Sequence, residues 1–315
     1  MGKKENPLLW YYQEHINFAE LIDGWLFHGK GRVQAEQVIE QDRRLLIRRG
    51  KKVYQDRFRD LYKSVEGVGM HLLIGIEHQS HIHYAMPVRG MEYDSSSYVL
   101  QVEKIHRKHE EADDLKADER LCGFAKTDRL LPVITLILYC GSKPWDAAMS
   151  LHELLNMEHV PEELHPYIAD YPLHILDICH TPDARLQEFP PDIRTMFFFL
   201  KYKEEPEKLI QCLPKDKLIR SSTCNAIADC IGERRLKRFV KKEEGEKINM
   251  CKAIDMLIMD GEKRGIAIGE KRGEKRGIAI GEKNKKAIER RAEKAEARVR
   301  ELEQIIKELQ EAKIK

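Results

Sequence analysis

Two acidic residues, Asp60 and Glu77, lie in neighbouring stretches whose composition is that of β-strands, Arg57–Val65 and Met70–Gln79, joined by the turn-like EGVG of Glu66–Gly69. Side chains alternate between the two faces of a strand. Glu77 and Gln79 therefore share one face of their strand, and Phe58, Asp60 and Tyr62 share one face of theirs. A hairpin turning near Val68 sets Asp60 opposite residues 75 to 77, and a one-residue adjustment of that register brings the Asp60 and Glu77 carboxylates to one face, within reach of one cation. Two carboxylates crowded together repel, and one of them takes up a proton unless a cation neutralises the pair. Oxygen donors suit Mg²⁺ or Mn²⁺, with phosphate oxygens completing the shell. The residues alone leave a second reading open, in which these are two unrelated strand carboxylates at a sheet end.

The elements that must position this pair follow from periodicity. Phe18, Leu21, Ile22 and Trp25 recur at helical spacing between His15 and Phe27, and Gly29 closes that helix. A first strand is predicted at Arg44–Arg48, followed by the hairpin. A long helix from about Tyr84 to Glu110 carries Pro87 in its first turn. The apolar run Leu131–Tyr139 reads as a buried strand, which gives the order α-β-β-β-α-β. Downstream, a short helix is predicted at Leu151–Met157, a strand at Leu173–Ile178, and helices at Asp192–Lys203 and Thr223–Lys241.

Of 315 residues, 42% are hydrophobic, enough for a real core, and 34% are charged, more than a compact body requires. The net charge is only +2, but Gly261–Arg300 holds fourteen Lys and Arg against seven Glu, so the positive field lies in the tail. There GEKRGIAI occurs at Gly261–Ile268 and again at Gly273–Ile280, with glycine at every fourth position from Gly261 to Gly281. Beyond it Ile288, Ala292, Ala295, Val299, Leu302, Ile306 and Leu309 step alternately by four and three, the seam of a short coiled coil. A homo-oligomer held by the tail is expected. The seven cysteines are scattered and none forms a CxxC pair, which fits a reducing compartment. The N-terminal MGKKENPLLWYYQEH lacks the apolar core of a signal peptide, and Leu130–Gly141 is too short to span a bilayer. A cytoplasmic protein without membrane attachment is expected.

The stretches RDLYKSVEG, LLIGIEHQSHIHYAMPVRGMEYD and LPVITLILYCGSKPWD, with NFAELIDGWLFHGKG upstream, resemble the recombination-promoting nuclease family, also called putative transposases, of the PD-(D/E)XK superfamily. The similarity covers roughly Asn17 to Leu154. It implies an α/β restriction-endonuclease-like αβββαβ core over residues 1–155; the residue patterns beyond it add a mostly helical extension over 156–242 and a repeat and coiled-coil tail over 243–315. The resemblance also implies a divalent-metal-dependent DNA endonuclease, linked to recombination or mobile-element activity. Asp60 and Glu77 would be metal ligands, with the backbone carbonyl of His78 as a third. Glu20, standing where the family has a helix Asp, would be an accessory ligand. Gln79 takes the place of the superfamily's catalytic Lys, and Arg89 of MPVR would bind phosphate.

The rival expectation is a catalytically degenerate nuclease fold serving as a DNA-binding or assembly module. His78, His81 and His83 invite a zinc reading, but no Cys or His elsewhere has partner spacing, and no GxSxG supports a serine hydrolase.

Overall fold

The computed structural model describes the backbone of residues 6–49, 52–67, 69–213, 218–243 and 245–312, and the side chains of all of these except 44–49, 52–58, 242–243 and 306–312. The expected turn at Val68 lies outside the described residues. In chain order the elements are α1 (Pro7–Tyr11), α2 (His15–Phe27), β1 (Val38–Glu40), β2 (Arg44–Arg49), β3 (Lys52–Phe58), β4 (Leu61–Gly67) and β5 (Met70–Gln79). There follow α3 (Met86–Ala112), α4 (Ala117–Arg120), β6 (Val133–Tyr139), α5 (Leu151–Leu154), β7 (His174–Asp177), α6 (Asp183–Leu186) and α7 (Pro191–Lys201). The last are α8 (Pro206–Cys212), β8 (Leu218–Arg220), α9 (Ser221–Ile231), α10 (Arg234–Glu243), β9 (Lys247–Asn249) and α11 (Met250–Ala312). Two compact units result, residues 1–253 and 254–315.

In the first unit, five strands form a mixed sheet in the order β1-β4-β5-β6-β7. β1, β4 and β5 pair antiparallel, whereas β5, β6 and β7 run parallel. A parallel neighbour demands a crossover, and α3 supplies it between β5 and β6. The central strands are apolar because helices cover both faces. Tyr62, Leu73 and Val133 pack together with Tyr98 of α3 on one face. On the other, Phe18 of α2 lies under the buried ammonium of Lys63, 5.2 Å from the ring centroid.

Three expectations are corrected here. The strand expected across Arg57–Val65 is broken at Arg59–Asp60, and its first part pairs with β2 in a separate two-stranded sheet. The strand expected at Arg44–Arg48 is thus present but outside the main sheet, whose edge is the short β1. At the break the Arg59 backbone N–H donates to the Arg43 carbonyl at 3.0 Å, and the fully buried Arg59 side chain forms an ion pair with Asp94. The helix expected across Thr223–Lys241 is two helices, α9 and α10, because Gly232 ends α9 at φ 73°, a left-handed conformation that glycine adopts without strain. In the main sheet and its helices the order is α2, β1, β4, β5, α3 and β6, with β1 standing in the place expected for the strand at Arg44–Arg48.

The second unit is helical from residue 254 to 312. Ile288, Val299 and Leu302 of the predicted seam are 67%, 53% and 46% exposed; the side chains of Ile306 and Leu309 lie outside the described residues. A Cβ built at any of the six tail glycines meets open space. Among the described residues no helix is long and apolar enough to cross a membrane.

Candidate active site

The register of the β4–β5 hairpin brings the two carboxylates together. Leu61 pairs with Ile76, and continuing that register by one residue sets Asp60 beside Glu77. Asp60 is fixed by its neighbour across the ladder: the His78 backbone N–H donates to its Oδ2 at 2.9 Å. Arg43 Nη1 donates to the Asp60 carbonyl at 3.1 Å, holding the backbone after the strand break.

Glu77 is 0% exposed. Its Oε2 accepts from Arg89 Nη2 at 3.4 Å, a long contact, and its Oε1 has no hydrogen-bond partner among the described residues. Burial, reinforced by the negative charge of Asp60 and opposed by Arg89, Arg59 and the Tyr93 hydroxyl, pushes its pKa from 4.5 up to about 7. An unpaired buried carboxylate oxygen costs about 1–3 kcal/mol or more, and native proteins rarely leave one without a reason. A cation between Glu77 and Asp60 would supply such a reason, and these oxygen donors fit a hard divalent ion.

Arg89, one turn into α3, is braced rather than free. Its Nε and Nη2 donate to the Tyr93 hydroxyl at 3.2 and 2.9 Å, and the guanidinium lies 5.4 Å from the Tyr93 ring centroid. Gln79, at the end of β5, is half-buried, and its carbonyl accepts the Cys140 N–H at 2.9 Å. Its side-chain amide makes no hydrogen bond among the described residues, so it is available to a ligand. The ring Nδ1 of His78 meets the Asn6 side-chain amide at 2.8 Å, and burial pushes its pKa down against the pull of Asp60. Of the remaining histidines, His81 is exposed, and His83 Nδ1 is buried without a partner. Among the described residues no group of three or more His, Cys, Asp or Glu side chains is arranged to hold a metal. A site here therefore depends on backbone or solvent oxygens besides its two carboxylates.

Glu20 is engaged elsewhere. Both of its oxygens accept from Arg220, at 2.7 and 2.6 Å, and Asn17 Oδ1 accepts from the same guanidinium at 2.9 Å. Burial raises the Glu20 pKa while Arg220 lowers it. The periodicity of α2 turns Glu20 away from its apolar stripe. The structure covers that side as well, because Arg220, between β8 and α9, folds back onto it.

Sequence reasoning missed the arginine next to the acidic pair. Arg59 Nη1 donates to Thr135 Oγ1 at 2.6 Å, and Nη2 donates to Asp94 Oδ1 at 2.8 Å and Ser97 Oγ at 3.1 Å. Its guanidinium lies 4.9 and 5.2 Å from the Tyr62 and Tyr93 ring centroids. Thr135 and Tyr171 also donate to Asp94. Gly75 makes room for the arginine, since a Cβ there would lie 1.8 Å from Nη1. Arg59 thereby anchors the backbone from which Asp60 projects. The signal was available in the tyrosine-aspartate pair of GMEYD and in a lone glycine inside β5.

The fold and site thus define a mixed α/β protein that presents an acidic pair, Glu77 buried and Asp60 half-buried, at the end of a hairpin. The sequence profile of the family described as "Putative transposase, YhgA-like" matches residues 55–215, and the chain belongs to that family. The matched region holds Asp60, Glu77, Gln79 and Arg89; Glu20 lies before it. Neither the curated proteins nor the solved structures gave a match.

Proposed function

We propose that this protein is a divalent-metal-dependent endonuclease that hydrolyses phosphodiester bonds in DNA, with a restriction-endonuclease-like core. The observation that carries the reading is Glu77: fully buried, one oxygen unpartnered, and pressed by Asp60. Asp60, Glu77 and the His78 carbonyl hold Mg²⁺ or Mn²⁺. When bound, the ion supplies Lewis-acid polarisation of a phosphoryl oxygen and acidifies water. Gln79 donates its amide to a phosphate oxygen or orients the attacking water without adding charge. Arg89, positioned by Tyr93, contributes its cation to the phosphate. Glu20 joins the donor set only by leaving Arg220.

DNA is the partner, in recombination or element mobility, and the tail gives the protein a second copy of itself. Its exposed Ile288, Val299 and Leu302 lie on one seam, which a parallel or antiparallel helix would remove from water.

Nicking of supercoiled plasmid with Mg²⁺ or Mn²⁺ tests the activity, and a Mn²⁺-dependent thermal shift tests the ion site separately. Wild type should nick and be stabilised by Mn²⁺, whereas Asp60→Asn and Glu77→Gln should lose both responses. A wild type inert with several divalent ions yet still retarding DNA would instead identify a binding or assembly module. The uncharged Gln79 and the Arg220-bound Glu20 are the features that such a module would share.

A further inference from the structure

The helix α10 of the first unit carries a dense run of cations, outside the residues matched by the family profile. Its ten residues, RRLKRFVKKE, contain six Lys and Arg and one Glu. At 100° per residue, Leu236, Phe239 and Val240 fall on one side, and they are buried at 0%, 6% and 8% exposure. Arg234, Arg238 and Lys241, at spacings of four and three, form a row on the opposite side, and all three are exposed.

Among the described residues these three cations have no carboxylate partner. Within the same helix and its approach, Arg235 pairs with Glu233 and Lys237 pairs with Asp229 at 2.5 Å. Among the described residues Arg234, Arg238 and Lys241 have no ion pair. In the tail helix some cations are paired along the helix, as Arg264 is with Asp260 and Arg300 with Glu296. A solvated charged face ordinarily intersperses both signs. A row of one sign, rigidly mounted on a buried apolar stripe, is built for an extended anion.

The row spans about 10 Å of helix axis at 1.5 Å per residue, comparable with about three phosphates of one DNA strand at 3.4 Å each. The helices that carry it are tied to the acidic pair. α9 packs on α1, and the Tyr11 hydroxyl bonds Thr223 of α9 at 2.8 Å. Asn6, the N-cap of α1, bonds His78 next to Glu77.

We propose that Arg234, Arg238 and Lys241 of α10 form a sequence-independent DNA-backbone clamp that holds the duplex against the acidic pair. The inference rests on the reading of this protein as one that acts on DNA, and it names where the phosphates are gripped. The contacts are to phosphate oxygens and carry no base specificity.

The test uses the full-length chain with all three residues replaced by Ala, and a control carrying Arg234→Lys and Arg238→Lys. Duplex binding is measured by fluorescence anisotropy against salt, without divalent ions, and folding is checked by thermal melting. The Ala variant should bind about tenfold or more weakly, and the slope of log affinity against log salt should become shallower by about 2.7, at 0.9 per phosphate contact. The Lys control should bind like wild type. An Ala variant with wild-type affinity and salt slope overturns the clamp and leaves the nuclease reading standing if Asp60→Asn still abolishes nicking. A wild type that never nicks, with binding still dependent on the row, overturns the nuclease reading and leaves the clamp. Row-dependent binding to phosphatidylserine vesicles without binding to DNA overturns the clamp in favour of a membrane surface.

Discussion

Arg89 reaches Glu77 with a single guanidinium nitrogen, at 3.4 Å from Oε2, and leaves Oε1 buried without a partner. Its better hydrogen bonds go to Tyr93, at 2.9 and 3.2 Å. The arginine therefore neutralises Glu77 only in part, and Asp60 adds charge of the same sign. The proposed divalent ion would supply counter-charge to this arrangement.

This has a thermodynamic consequence in the absence of divalent ions. The Glu77 pKa rises from 4.5 to about 7 on folding, so between those values the native protein holds a proton that the unfolded chain releases. Stability from this group is fully present below about pH 4.5 and is lost as the pH rises through 7. A shift of this size corresponds to about 3 kcal/mol. Urea titrations should show Glu77→Gln more stable than wild type at pH 8 by about 2–3 kcal/mol and nearly equal to it at pH 5. A variant whose stability advantage is the same at both pH values contradicts the assignment.

Replacing Arg89 shifts the same equilibrium further. Its positive charge lowers the Glu77 pKa, so Arg89→Met should move that pKa upward. If an ionised Glu77 is needed to hold the ion, the acid limb of the nicking profile should move to higher pH, by about half a unit to one unit. The rate on the alkaline plateau should fall separately, through the lost phosphate contact. A profile merely scaled down, with its acid limb unmoved, would uncouple Arg89 from Glu77.

The Arg59–Asp94 pair is the support beneath the site. Both members are buried, and Asp94 also receives Thr135 and Tyr171. Removing one partner of such a pair strands the other charge, at a cost of about 3–5 kcal/mol. Asp94→Ala should show that loss in chemical denaturation. Gly75→Ala should be comparably damaging, because the added Cβ would lie 1.8 Å from Arg59 Nη1. An Asp94→Ala variant within about 1 kcal/mol of wild type would mean that Arg59 finds other company.

What the sequence revealed and what it hid share a physical basis. The strand expected at Met70–Gln79 coincides with β5, because an uninterrupted apolar run with a charged end has one sensible reading. Pro87 located the start of α3, since proline suits the first turn and little else in a helix. The break at Arg59 was illegible because a buried arginine looks like a surface one until its partner, thirty-five residues on, is known. Glu20 carries the same lesson at longer range. Helical periodicity sees only its own helix, and the Arg220 that claims Glu20 comes two hundred residues later. β1 is three residues long, too short for any alternation to register.

The tail gives the last prediction. Gly261, Gly265, Gly269, Gly273, Gly277 and Gly281 each have open space where a side chain would go, and each weakens an isolated helix by about 1 kcal/mol relative to Ala. Gly269→Ala with Gly273→Ala should raise helicity by circular dichroism if these glycines face solvent. If a second copy packs closely against them, the added methyls should lower the oligomeric state or its melting temperature instead. Removal of residues 288–315 takes away the exposed Ile288, Val299 and Leu302 and should reduce the subunit count in light scattering. A full-length protein with the same mass per particle as the truncated one, allowing for the deleted residues, eliminates self-association through the seam.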